Sequence, residues 1–148
     1  MKKNLLINVF FVLFFINSNV LSKESSYFME GMKHFKNKEF DKSKIFFERD
    51  LVFNPKSEKS YLYLAKIFNK KDNTEEEEVN LKNVLLINPK NDEAIYMLAL
   101  IKIDQSDYVE AEDLMNKFTL VCKSFCSKKK EIELKFKKLN PGNAKNKN

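Results

Sequence analysis

The chain has 148 residues, 27 of them Lys or Arg against 21 Asp or Glu, for a formal net charge of +6, with one arginine, one histidine and two cysteines. A lone histidine, with no metal-ligand spacing, phosphate loop or serine-nucleophile motif around it, argues against catalysis and against a bound cofactor or metal. Lysines without interleaved arginines and aromatics argue against a nucleic-acid surface.

Met1 to Asn4 carries Lys2 and Lys3, Leu5 to Ile16 is apolar apart from Asn8, and Asn17 to Ser22 is short and polar. A basic start, an apolar run of about a dozen residues and the small-residue end Val20-Leu21-Ser22 predict a secretory leader at 1–22, cleaved after Ser22. The run is shorter than the roughly 20 apolar residues of a membrane span. No cysteine at the cleavage point invites a lipid. Cleavage lowers the net charge to +4, 25 basic against 21 acidic residues. The expected location is the periplasm or the exterior of a bacterium.

Beyond the leader, Asn54-Pro55 and Asn88-Pro89 lie 34 residues apart, and the segments ending at them align as units 24–57, 58–91 and 92–125. Each first half has helical spacing: Tyr27, Gly31 and His34; Tyr61, Ala65 and Phe68; Ile95, Ala99 and Lys102. The small residue at Gly31, Ala65 and Ala99 sits where a second helix must approach closely. Phe40, Thr74 and Tyr108 open that second helix, whose apolar stripe is Phe47 and Leu51, then Leu81, Val84 and Leu85, then Leu114, Met115 and Phe118. Asn73 or Thr74 with Glu76 or Glu77, and Asp107 with Glu110, read as N-terminal caps. The run Glu75–Glu78 favours the positive end of the helix dipole, and its members point around the helix too widely to share a metal ion.

After the third unit, Ser127 is expected to cap a last helix over 127–139 that carries Ile132, Phe136 and Leu139 on one face. Such a helix would close the open apolar end of the stack. Pro141-Gly142 ends it, and 140–148 reads as a disordered tail. Its lysines read as a solvated face.

Cys122 and Cys126 stand four residues apart at the junction. Helical spacing puts their Cα atoms about 6 Å apart, within bridging range. A disulfide suits an exported chain and would contribute roughly 2 kcal/mol. Two free thiols, or a redox or metal-binding pair, remain open at this level, although the spacing is not the Cys-x-x-Cys of thiol oxidoreductases.

The recurring positions resemble the tetratricopeptide repeat. The first unit matches through Tyr27, Gly31, Phe40, Ser43, Phe47 and Pro55, the second through Tyr61, Leu64, Ala65, Leu81 and Pro89, the third through Leu98, Ala99, Tyr108 and Ala111. Four positions depart from it. Glu30 replaces leucine, Asp50 replaces alanine, Glu77 replaces a small residue and is explained by capping, and Lys123 replaces the third proline. The resemblance implies an all-α fold, a right-handed α-solenoid of three helix-turn-helix hairpins with a C-terminal capping helix over 23–139. It also implies a structural role for the Cys122–Cys126 pair, since similar cysteine pairs precede the terminal helix in some small bacterial repeat proteins.

The family's groove positions fall on Phe28, Met32, Phe35 and Lys36, then on Leu62, Lys66, Asn69 and Lys70, then on Tyr96, Leu100, Ile103 and Asp104. The implied function is a non-catalytic scaffold that binds a protein or peptide partner on this concave face, with Lys66 and Lys70 meeting a partner's carboxylate. The alternative is a structural subunit of an envelope assembly that associates with itself through the same surface.

Overall fold

The computed structural model describes residues 24–140; the leader expected at 1–22 and the tail expected beyond Asn140 lie outside them. Among the described residues seven α-helices follow one another: α1 Ser26–Lys36, α2 Phe40–Phe53, α3 Glu58–Lys70, α4 Thr74–Ile87, α5 Asp92–Asp104, α6 Tyr108–Val121 and α7 Lys129–Leu139. No strand occurs among the described residues. Within each hairpin the two helices pack on each other, α2 and α4 pack on the first helix of the next hairpin, and α7 lies across α5 and α6. The result is an all-α solenoid of three hairpins closed by a C-terminal helix.

The second helices begin at Phe40, Thr74 and Tyr108, and Asn54-Pro55 and Asn88-Pro89 fall at the ends of α2 and α4. Proline biases the residue before it away from helical geometry, so the chain turns there. The turns inside the hairpins use Lys38, Asp72 and Ser106 at positive φ. Asn73 and Asp107 accept hydrogen bonds from the amides of Glu76 and Glu110, each at 3.2 Å, as the cap pattern predicts.

The small-residue positions explain how closely the helices approach. Gly31, Ala65 and Ala99 are all buried. A Cβ added at Gly31 would lie 2.7 Å from the Phe47 ring, so α1 and α2 could not keep their spacing with any larger residue there. Ser43, on the facing helix, donates its hydroxyl to the Gly31 carbonyl at 2.9 Å. The core forms two clusters, one of Phe28, Phe47, Leu64, Ile67 and Phe68, the other running from Leu62 through α5 to Phe118 and Ile132.

Two expectations need correction. Ser127 does not cap α7: residues Cys126–Lys128 form a 3-10 turn, and α7 starts at Lys129 without a side-chain cap. Leu139 is exposed, so Ile132 and Phe136 alone carry that helix's apolar contact. Asp50, at the alanine position, is buried and accepts hydrogen bonds from the Ser25 and Ser60 hydroxyls and, at 2.9 Å, from Asn54 Nδ2. It thereby ties the start of α1 and the start of α3 to the end of α2.

Candidate binding groove

One wall of the solenoid is built from the first helices of the hairpins, and the gap between α3, α5 and the start of α4 forms an open groove of about 860 Å³. Phe35, Tyr96, Met97, Leu100, Ile101 and Phe125 supply its apolar lining. Lys66, Asn69, Lys70, Thr74, Glu77, Glu93, Asp104, Gln105 and Lys135 supply its polar lining. A second hollow of about 560 Å³ lies at the opposite end of the chain, beside Ser25, Phe28, Asp50 and Phe53.

Of the residues expected on the concave face, Phe35, Lys66, Asn69, Lys70, Tyr96, Leu100 and Asp104 come together in the groove. Phe28 is buried and borders the second hollow, Met32 packs on the first core cluster, and Lys36 is exposed at the end of α1. Leu62 and Ile103 are buried in the second cluster. Ile103 faces inward because α5 is covered by neighbours on more than one side, and Leu62, on α3, packs into the same cluster as the α5 residues; a position-by-position carry-over registers neither.

The electrostatics differ from two lysines both open to a partner's carboxylate. Lys66 Nζ sits 2.8 Å from Glu93 and 4.8 Å over the Tyr63 ring. Lys135 pairs with Asp104 at 2.6 Å. Lys70 has no ion-pair partner among the described residues, which leaves it as the free cation of the groove. Glu77 does not cap α4. The residue is 4% exposed, its carboxyl takes Asn69 Nδ2 at 3.1 and 3.2 Å, and burial pushes that carboxyl above the usual carboxylate range against the hydrogen bond. Consecutive residues in a first turn point in different directions, and the sequence does not say which of four glutamates faces inward.

Its neighbour Glu78 accepts from Lys102 and pairs with Lys82, each at 2.6 Å, and accepts from Gln105 at 2.9 Å. Burial opposes its ionisation, but these hydrogen bonds pull it down to about 2. Lys102 is correspondingly buried, and its ammonium also lies 3.3 Å from Glu110. His34 stacks on Phe46 with ring centroids 5.2 Å apart, and its Nδ1 lies 2.5 Å from the Glu39 carboxylate, so it serves packing at the edge of the first hairpin. No group of three or more His, Cys, Asp or Glu among the described residues is arranged to hold a metal ion.

The third junction closes one end of the groove. Cys122 and Cys126 have Cα atoms 5.2 Å apart and sulfurs at bonding distance, 2.14 Å. Between them, the amides of Lys123, Ser124 and Phe125 all donate to one oxygen of Asp92, at 2.7, 2.6 and 3.0 Å. Burial opposes ionisation of Asp92, yet these amides hold it below the usual carboxylate range. The clamped loop carries Phe125 to within 6.0 Å of the Tyr96 ring. Phe125 was not readable as a groove residue, but an acid recurs at Glu24, Glu58 and Asp92, and Glu58 accepts from Asn88 and Asn91 in the equivalent place. Replacing Asp92 with alanine should remove the shared charged acceptor of three amides, two of them open to water, and cost about 2 kcal/mol. Faster hydrogen exchange at Lys123 to Phe125 is the expected result, and unchanged exchange would show that the clamp does not hold the loop.

No family model and no curated protein matches the chain. Solved structures do. The type III secretion translocator chaperone SycD of Yersinia enterocolitica aligns with a TM-score of 0.69 and 10% identity over 84% of this chain and 92% of its own. SycD has also been solved with a peptide of the translocator YopD. The Sgt2 domain from Aspergillus fumigatus gives 0.65 and 18% over 79% and 81%, and the first such domain of Spaghetti (RPAP3), bound to the HSP90 peptide SRMEEVD, gives 0.66 and 13% over 80% and 90%. At these identities the likeness is one of architecture, and the architecture is that of the tetratricopeptide repeat: this chain has that fold, as three hairpins and a terminal helix.

Proposed function

We propose that this chain is an exported, non-catalytic scaffold that binds a protein or peptide segment in the groove between α3 and α5. The observation that carries the reading is the groove itself. An open trough with aromatic and aliphatic lining, rimmed by charges that, Lys70 apart, are largely paired within the chain, suits an extended or helical segment and offers no arrangement of nucleophile and base. That SycD and RPAP3 have been solved with peptides supports the same kind of use. Export rests on the pattern of residues 1–22.

Because Lys66 is occupied by Glu93, Lys70 is the cation left to meet a partner's carboxylate, and Leu100 with Phe125 offers the apolar contact. A photo-cross-linking residue at Leu100 or Lys70, introduced in cells that export the chain, should capture one discrete polypeptide that the same residue at Val109, outside the groove, does not. Equal capture from all three positions would overturn the groove assignment. A product of twice the chain's own mass would point to self-association.

A further inference from the structure

Three of the most exposed large apolar side chains occupy one repeated position. Val52, Leu86 and Leu120 are 76%, 82% and 84% exposed, and each lies 34 residues from the next, in the last turn of α2, α4 and α6. None of them lines the groove or the second hollow.

Each aliphatic is flanked by basic residues on both sides along the chain. Lys56, Lys90 and Lys123 follow three or four residues later, exposed and without an ion-pair partner among the described residues. Arg49, Lys82 and Lys117 precede by three or four, which on a helix is the same face; of these, Lys82 pairs with Glu78. The acids at this edge are occupied within the chain: Glu48 by Lys44, Glu58 by two asparagines, Asp92 by three amides, and Asp50 is turned inward. The last turns of α4 and α6 contain no acid at all. A preference of cations for helix C-termini accounts for lysines there, but not for an exposed aliphatic in every unit.

We infer that the outer ends of α2, α4 and α6 form a peripheral docking surface for an anionic lipid membrane, with Val52, Leu86 and Leu120 entering the interface between the lysines. Small aliphatics spaced among free cations match the composition of surfaces that rest on charged bilayers, where each lysine near the surface adds attraction and each buried methylene adds affinity. A second copy docked face to face would set lysines against lysines, which disfavours it. A protein partner is usually held by aromatic or arginine anchors in pockets, whereas Val52, Leu86 and Leu120 line neither cavity and, of the flanking cations, only Lys56 borders the second hollow.

The test uses the full chain with its cysteine pair oxidised and an environment-sensitive fluorophore at Leu86→Cys, or at Val109→Cys as the reference. Mixed phosphatidylglycerol and phosphatidylcholine vesicles should move the emission at position 86 to the blue and leave position 109 unchanged. Pure phosphatidylcholine should do neither. Adding Lys56→Ser, Lys90→Ser and Lys123→Ser should raise the anionic lipid needed for the same response by about tenfold or more. Equal responses at 86 and 109 would mean tethering by the N-terminal segment alone and would overturn the inference. So would a response to poly-glutamate but not to vesicles, which marks an acidic polypeptide as the ligand, or a response to raised protein concentration alone, which marks a second copy.

Discussion

Phe47→Ala is expected to lower the unfolding free energy by about 3–5 kcal/mol, the largest loss from any single truncation in the first hairpin. Phe47 is fully buried, with its ring 5.6 Å from Phe28 and stacked 5.3 Å from Tyr63, so its removal opens a cavity in the cluster that joins α1, α2 and α3. The same ring sets the demand for glycine at position 31. Gly31→Ala alone removes a helix-interior glycine, worth up to about 1 kcal/mol of propensity, yet it drives a methyl group into the ring and should be net destabilising. In the Phe47→Ala background the methyl group enters the vacated space, and the same change should become neutral or stabilising. Urea unfolding of the four proteins in this cycle measures the coupling, and additive single effects would show that the close approach is not what constrains Gly31.

Asp50 carries the second large effect. Replacing it with leucine strands the hydroxyls of Ser25 and Ser60 and the amide of Asn54, and should cost about 3 kcal/mol. Burial opposes ionisation of this carboxyl, but the hydrogen bonds outweigh it and hold the group below its usual range. A folded-state value below the unfolded one means that the ionised form stabilises the fold. That contribution is fully present above the unfolded carboxylate value of about 3.9 and is lost as pH falls through the folded value. Asp50→Asn should therefore be less stable than the native chain near neutrality, and the gap should narrow as the medium is acidified below about pH 4. A gap that stays constant down to acid pH would rule out the ionised carboxylate as the source.

The hairpins were legible because close packing leaves a periodic trace. Small residues recur where helices touch, proline recurs where the chain must turn, and aromatic or polar openers recur where the second helix starts, so Phe40, Thr74 and Tyr108 could be placed from spacing alone. The groove was legible in part. Lys66 and Lys70 were placed on the right wall, but charge in a list does not reveal a partner 27 residues away, and Glu93 takes Lys66. Glu77 was read as a cap because the first turn of a helix presents carboxylates on every side, and only the neighbouring helices decide which one is enclosed. Phe125 escaped notice because it sits in an irregular loop whose shape is set by Asp92, a long-range contact with no local pattern.

The polar contacts between hairpins also act as an address for each unit. Repeats of one length can in principle dock one hairpin out of step, a characteristic hazard of repeat folding. Here a shift that skips the middle hairpin would bring Asp50 against Ala94, where Ser60 stands in the native order, and would set Lys102 opposite Lys44, where Glu78 stands. One buried carboxylate would lose a donor and one buried ammonium would meet another cation. These contacts, which differ from one junction to the next, therefore let the chain count its own hairpins and favour one order of assembly.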